Sequence, residues 1–179
     1  DRGAEMKMQF TYNIFLIGFM GSGKSTVADY LCEKFDMDVV EMDQVIAERE
    51  RMSISDIFEK HGELYFRDLE TKLLVELQEK TNTVVSCGGG VAMRECNVTE
   101  MKKNGKVVLL TAKPETILER VENNHDRPLL ENNKTVAYIA ELMEKRREKY
   151  EAAADMIIET DGKSAQKICE EMIQRLGEQ

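Results

Sequence analysis

The chain has 179 residues, of which 42% are hydrophobic and 33% charged, and its formal net charge is −9. This length and balance predict one globular domain with a sizeable core, and they argue against wholesale disorder. Nucleic acids and acidic membranes are bound by basic surfaces, so the negative charge argues against a general role at either, although a local basic site stays possible.

The four cysteines show neither a Cys-x-x-Cys pair nor a zinc-ligand spacing, so we expect reduced thiols in a cytoplasmic protein. No apolar run is long enough to cross a bilayer, and the opening residues lack the basic-then-apolar order of a signal peptide. Residues 1–8 are interpreted as either a tag remnant or a flexible natural start. Nothing in the sequence demands more than a monomer.

Strand-like and helix-like segments alternate along the chain. Helical spacing of apolar residues predicts helices over 26–35, 55–80, 114–123, 134–153 and about 164–176. The β-branched runs between them are almost continuously apolar, as strands covered on both faces are; they are YNIFLIG, MDVVEMD, TVVSCGG, KVVLLTA and ADMIIET. This alternation predicts a single α/β domain over 1–179, in three layers, with a parallel sheet and right-handed crossovers.

Two segments interrupt that alternation. Residues 53–67 are polar and aromatic and are predicted to pack over the sheet edge. Residues 123–134, NNHDRPLLENNK, are rich in asparagine and hold one of the two prolines, which favours a mobile lid over a plain connection.

The first strand-like run leads into a glycine-rich loop, Gly-x-x-x-x-Gly-Lys-Ser, over residues 18–25. Its glycines let backbone N–H groups face a phosphate, and the helix that follows points its positive end at the same anion. The lysine can neutralise the β- and γ-phosphates, and the serine hydroxyl can bind magnesium. The strand–loop–helix context predicts a site for a nucleoside triphosphate at Gly21, Ser22, Gly23, Lys24, Ser25 and Thr26.

A P-loop alone does not separate kinases, GTPases and other ATPases. The chain contains no Asn-Lys-x-Asp guanine-binding motif and is short for a helicase, whereas its length fits a small-molecule kinase.

Two carboxylates, Glu41 and Asp43, follow the second strand-like run. Strand alternation would place them on the same side, at the carboxyl end of the sheet where α/β folds bind ligands. There they can hold magnesium through water, or orient an attacking hydroxyl and take its proton. The alternative is an acidic helix start with Asp43 as the N-cap.

Arg67 and Glu70 are three residues apart on one predicted helical face. One interpretation is an ordinary surface ion pair. The other is that Glu70 holds Arg67 rigid, so that the guanidinium can bind the carboxylate of a ligand with good geometry. The glycines Gly88, Gly89 and Gly90 follow the third strand-like run, and they allow a ligand to approach the backbone closely.

These motifs together resemble the shikimate kinase family. Six segments occur in the family's order over about 14–160; they are FLIGFMGSGKST, EMD, SISDIFEKHGELYFRDLE, VVSCGGGVA, RPLL and RREKY. The resemblance implies a nucleoside-monophosphate-kinase-like fold, with five parallel strands in the order 2-3-1-4-5. It also implies ATP- and magnesium-dependent phosphorylation of the 3-hydroxyl of shikimate, in chorismate and aromatic amino-acid biosynthesis.

The same resemblance implies the acceptor site, with an acceptor-binding segment over about 44–70. Asp43 would hold the shikimate hydroxyls and serve as the base. Arg67, oriented by Glu70, and Arg146 would bind the carboxylate. The remaining implied contacts are the backbone of Gly88, Gly89 and Gly90 and an apolar wall of Phe58 and Phe66.

On the nucleotide side, the resemblance implies that Arg120 lies against adenine and that Arg127, in the lid, brings charge over the phosphates. Glu41 stands where the family usually has aspartate. Cys87 stands where the family usually has threonine, so Ser86 becomes the expected water-mediated magnesium partner at that position. The implied magnesium set is Ser25, Glu41, Asp43 and Ser86.

There are two alternatives to the implied function. One is a kinase for gluconate or another hydroxy acid, and the other is a nucleotide-dependent binding protein without turnover.

Overall fold

In the computed structural model of this protein, residues 10–122 and 135–177 are described. The five predicted strands are present and form one parallel sheet in the order β2-β3-β1-β4-β5. The strands are β1 (Asn13–Ile17), β2 (Asp38–Glu41), β3 (Thr83–Ser86), β4 (Gly105–Thr111) and β5 (Met156–Glu159). The predicted strand order is therefore confirmed.

Besides a short 3₁₀-helix at Val91–Met93, eight α-helices lie within the described residues and cover the sheet on both faces. They are α1 (Lys24–Phe35), α2 (Met42–Glu50), α3 (Ile54–His61), α4 (Glu63–Leu77), α5 (Glu95–Lys103), α6 (Pro114–Val121), α7 (Val136–Ala153) and α8 (Ala165–Gly177). Together with the sheet they give the three layers that strand–helix alternation predicts.

The helix predicted over 55–80 is two helices, because Gly62 separates α3 from α4 with φ at 88°. That backbone angle is accessible to glycine and interrupts the helical path. Helix α5 was missed: its sequence, ECNVTEMKK, buries only Asn97 and Met101 and so lacks an apolar stripe.

The core follows the pleat of the central strand. Phe15 and Ile17 belong to the cluster covered by α2, α3, α4, α5 and α7, whereas Ile14 and Leu16 belong to the cluster covered by α1 and α8. Because both faces are covered, β1 is fully buried and reads as a continuous apolar run.

Parallel pairing brings three loops to one end of the sheet. Ser86, the last residue of β3, pairs with Leu16 of β1 and Glu41 of β2. The P-loop, the start of α2 and the triple glycine therefore leave the sheet side by side, at its carboxyl edge.

The predicted lid, 123–134, and the predicted start, 1–8, lie outside the described residues. In the two stretches that are described, every helix falls short of the length or the hydropathy that crossing a bilayer requires.

Candidate active site

The P-loop is a tight turn whose conformation depends on its glycines. At Gly18 φ is 146°, and a Cβ atom there would lie 2.8 Å from the hydroxyl oxygen of Ser22. At Gly23, the residue before α1, φ is 103°. Both angles favour glycine, and the turn aims the amino-terminal end of α1 into the loop, as a phosphate site requires.

The ammonium group of Lys24 lies over this loop. Its Nζ donates to the carbonyl oxygens of Gly18, at 2.7 Å, and Phe19, at 3.2 Å. These bonds hold the cation beside the loop, where phosphate oxygens can take the place of the carbonyls.

A cavity of about 290 Å³ opens beside Lys24 and brings together most of the predicted nucleotide-binding and magnesium-binding groups, whereas Arg67 and Arg146 are not among its lining residues. It is lined by the P-loop, the start of α1, the two carboxylates, the end of β3 and part of the triple glycine; the residues are Met20, Gly21, Gly23, Lys24, Ser25, Thr26, Glu41, Asp43, Ser86, Cys87, Gly88, Gly89 and Arg120. Clefts of this kind at the carboxyl edge of a parallel sheet are ligand sites.

Ser22 is an exception among the predicted nucleotide-binding residues, because it does not line this cavity. Its backbone N–H donates to the Phe19 carbonyl at 3.1 Å, and its hydroxyl lies beside Gly18 in a buried position. In this arrangement Ser22 shapes the turn.

Glu41 and Asp43 both line the cavity, although the expected reason was wrong. Strand β2 ends at Glu41 and helix α2 starts at Met42, so helical geometry, rather than strand alternation, orients Asp43. Met42 between them is fully buried. Asp43 is not the N-cap either: Glu41 holds that position, without a side-chain capping bond.

The donor set fits magnesium held mainly by phosphate and water. Among the described residues, no three His, Cys, Asp or Glu side chains form a group that could hold a metal ion. The hydroxyl groups of Ser25 and Ser86 and the two carboxylates line the same cavity. Mg²⁺ keeps several waters and binds through one or two carboxylates plus substrate phosphates, which these oxygen donors suit.

Arg67 is fixed by two glutamates. Its Nη1 donates to Glu70 Oε1 at 2.8 Å and its Nη2 to Glu63 Oε2 at 3.1 Å. Its side chain is 16% exposed, so this is not an ordinary surface ion pair. Glu63 was not among the predicted site residues, although its spacing of four residues from Arg67 on one helix was available as a signal.

Phe58 and Phe66 form one aromatic pair, with ring centroids 5.1 Å apart. The guanidinium carbon of Arg67 lies 5.8 Å from the first centroid and 5.3 Å from the second. The predicted apolar wall and the predicted carboxylate-binding arginine are therefore adjacent, and the rings favour the cation.

Glu70 is fully buried, and burial raises its pKa to about 7. The attraction of Arg67 acts against that rise and the Asp43 carboxylate adds to it. Both carboxylates approach the triple glycine: a Cβ atom at Gly88 would lie 2.8 Å from Asp43 Oδ1 and from Glu70 Oε2. Only glycine leaves room for both oxygens.

The structure separates the two neighbouring arginines of RREKY. The guanidinium of Arg146 lies 5.8 Å from the ring centroid of Phe19, and a Cβ atom at Gly89 would lie 2.9 Å from its Nη1. Arg147 instead bonds Glu144 and Glu151 on the surface of α7. Arg146 is therefore the arginine that faces the glycine loop.

Arg120 lies at the P-loop edge of the cavity. It donates to the Gly21 carbonyl at 2.8 Å and to the Thr160 hydroxyl at 3.2 Å, joining the loop to the end of β5. Thr160 was not among the predicted site residues. Arg127 lies outside the described residues, so its role in a lid stays a prediction.

This fold and site define a P-loop kinase for a small molecule. A family model described as shikimate kinase matches residues 20–177. The chain therefore belongs to the shikimate kinase family, and it is a kinase that uses a nucleotide as phosphoryl donor.

Individual relatives agree with this assignment. The chain is 45% identical to a shikimate kinase from Persephonella marina over 164 residues, covering 92% of this chain and 98% of the relative. The structure of shikimate kinase from Acinetobacter baumannii in complex with shikimate matches with a TM-score of 0.88 and 31% identity, over 97% of this chain and 96% of the other. A gluconokinase from Sinorhizobium meliloti matches with a TM-score of 0.60 and 18% identity, over 96% and 94% of the two chains, which shows a shared fold alone.

Proposed function

We propose that this protein transfers the γ-phosphoryl group of ATP to the 3-hydroxyl of shikimate, giving ADP and shikimate 3-phosphate on the route to chorismate. One observation carries the choice of acceptor. Arg67 and Arg146 come from different helices, and both approach the triple glycine beside the P-loop. Two guanidinium groups around a loop without side chains suit a compact ring acid.

On the donor side, the P-loop and the amino-terminal end of α1 would bind the phosphates. Lys24 would exchange its bonds to the Gly18 and Phe19 carbonyls for phosphate oxygens. Magnesium, when bound, would offset phosphate charge, with the hydroxyl groups of Ser25 and Ser86 and the carboxylates of Glu41 and Asp43 as its protein partners. Arg120 would lie against the adenine.

On the acceptor side, the chain would position a rigid substrate. Arg67, held by Glu63 and Glu70, would bind the carboxylate together with Arg146. The Phe58 and Phe66 rings would cover one side of the carbocycle. This positioning matters because phosphoryl transfer depends mainly on alignment and charge stabilisation.

In the transfer step, the acceptor oxygen forms a bond to the γ-phosphorus, and the bond from that phosphorus to the β,γ-bridging oxygen breaks. The hydroxyl proton passes to the carboxylate of Asp43, and the bridging oxygen leaves with ADP. Lys24 and Arg127 would balance the charge that gathers on the transferred group. Asp43 lines the same cavity as Lys24, which supports this assignment.

The proposed enzyme is single-domain, monomeric and cytoplasmic, and it needs neither nucleic acid nor a membrane. Its product is tested by ³¹P and ¹H NMR of a reaction with ATP, magnesium and shikimate. We expect one new phosphate monoester, coupled to the proton on C3, and loss of turnover when EDTA removes magnesium. A phosphate on another carbon, or free phosphate alone, would contradict the proposed reaction.

A further inference from the structure

Tyr150 contacts two parts of the proposed acceptor site, the glycine loop and Arg146. It lies near the end of α7, and its side chain is buried. Its hydroxyl donates to the Gly89 carbonyl and accepts a hydrogen bond from Arg146 Nη1 at 3.5 Å. One phenol oxygen therefore touches both the glycine loop and an arginine proposed to bind the acceptor.

The glycine loop depends on such external contacts. Three consecutive glycines place few restrictions on their own backbone, so neighbouring groups must hold one conformation. Helix α7 supplies one such contact within the loop, where Tyr150 bonds Gly89, and a second just after it, where the Lys149 ammonium donates to the Met93 carbonyl at 3.2 Å. The tyrosine bond is the inner one, beside the cavity.

The same hydroxyl also restricts Arg146. Residues four apart on a helix share one face, and here the guanidinium bonds the Tyr150 hydroxyl and also lies 5.8 Å from the centroid of the Phe19 ring. A free arginine side chain carries considerable rotamer entropy, so a preset orientation lowers the cost of binding a carboxylate. Burial raises the pKa of the tyrosine, so its hydroxyl stays protonated and keeps donating across neutral and mildly alkaline pH.

We propose that Tyr150 is a positioning residue for the acceptor carboxylate: its hydroxyl fixes the Gly89 carbonyl and orients the Arg146 guanidinium. The role rests on the proposed function, since it concerns the binding of shikimate. It adds a residue that acts through its neighbours and does not touch the reacting atoms.

Tyr150→Phe removes this oxygen and keeps the ring. The variant would leave the Gly89 carbonyl and the Arg146 guanidinium without this partner, so we expect the KM for shikimate to rise about tenfold. The KM for ATP should change by less than about twofold, and kcat by less than about threefold, because the P-loop and Asp43 are unaltered. Tyr12→Phe is the matched control: Tyr12 precedes β1 at the opposite end of the sheet, and its KM values should equal those of the wild type.

A double-mutant cycle with Arg146→Lys separates positioning from general stability. If the hydroxyl acts partly by orienting the Arg146 guanidinium, Tyr150→Phe should raise the KM for shikimate less in the Arg146→Lys background than in the wild type. Fully additive effects, or an unchanged KM for shikimate, would overturn the role. Equal rises in the KM for shikimate and the KM for ATP would also overturn the role. Loss of folding, judged by thermal unfolding and ADP binding, would do the same, since the hydroxyl would then stabilise the fold as a whole.

The wild type, assayed alongside, distinguishes this failure from a failure of the proposed function. A wild type that turns over shikimate, with a Tyr150→Phe variant that matches it, overturns the positioning role alone. A folded wild type that binds ADP but does not phosphorylate shikimate overturns both.

Discussion

Arg67 lies so close to Gly90 that a Cβ atom at the glycine would stand 2.7 Å from the arginine Nη2. Gly90→Ala should therefore displace the guanidinium from the position that Glu63 and Glu70 set. Since a displacement of about 1 Å can cost up to two orders of magnitude in rate, we expect kcat/KM for shikimate to fall at least about tenfold. Steady-state kinetics with each substrate varied in turn will measure this.

The backbone of Gly90 accepts alanine, with φ at −97°, so the collision with Arg67 is the main cost. Gly177→Ala is the control, because a Cβ atom there meets nothing within 4 Å. Normal kinetics for Gly90→Ala would mean that Arg67 does not need its present position.

The adjacent arginines of α7 make a matched pair. Arg146→Ala should raise the KM for shikimate about 10- to 100-fold, because a carboxylate loses a charge-assisted hydrogen bond. Arg147→Ala should leave it within about twofold, since Arg147 forms exposed ion pairs with Glu144 and Glu151. The reverse ranking in the same kinetic assay would show that the other arginine binds the acceptor.

Asp43→Asn keeps the shape of the side chain and removes its charge. If Asp43 takes the hydroxyl proton, kcat should fall by about two orders of magnitude or more, while ADP affinity stays within a few-fold. Rapid-quench kinetics and calorimetric titration with ADP will separate these quantities. An unaltered kcat would remove Asp43 from the reacting hydroxyl.

The buried carboxyl of Glu70 predicts a pH dependence of stability. Its pKa is raised from the ordinary 4.5 to about 7, so between these values the folded chain holds a proton that the unfolded chain has lost. The free energy of unfolding should therefore decrease as pH rises through this window, by an amount on the order of 3 kcal/mol.

Urea unfolding of the wild type and Glu70→Gln, from pH 5 to 8 without nucleotide, tests this sign. Glutamine does not titrate, so the wild type should lose stability relative to the variant as pH rises. Comparing the two slopes, rather than absolute stabilities, removes the constant effect of altering the bond to Arg67. A relative gain for the wild type would mean that Arg67 outweighs burial.

Strands and the P-loop could be predicted from sequence because each follows a local rule. A strand buried on both faces is continuously apolar, and a phosphate loop has fixed positions for glycine and lysine. The strand order, in contrast, came from resemblance to a family. Helix α5 was missed because amphipathic spacing is its only local signal, and it buries just Asn97 and Met101.

The site was harder to predict because it forms between elements that are distant in sequence. The cavity joins Lys24, Asp43 and Gly88 only after parallel pairing brings three strand ends together. Strand alternation failed for Asp43 because α2 starts one residue earlier, which local polarity does not reveal. The Tyr150 bond to Gly89 spans 61 residues and has no local signature.

The central claim is tested most directly by measuring ADP release in a coupled assay with ATP and magnesium. Three reactions are compared: one without an acceptor, one with shikimate and one with gluconate. We predict release with shikimate only, and its loss in Lys24→Ala, whose missing ammonium no longer neutralises the phosphates. Release with gluconate in place of shikimate would keep the kinase and change its substrate. Release without any acceptor, or none under any condition, would contradict the proposed function.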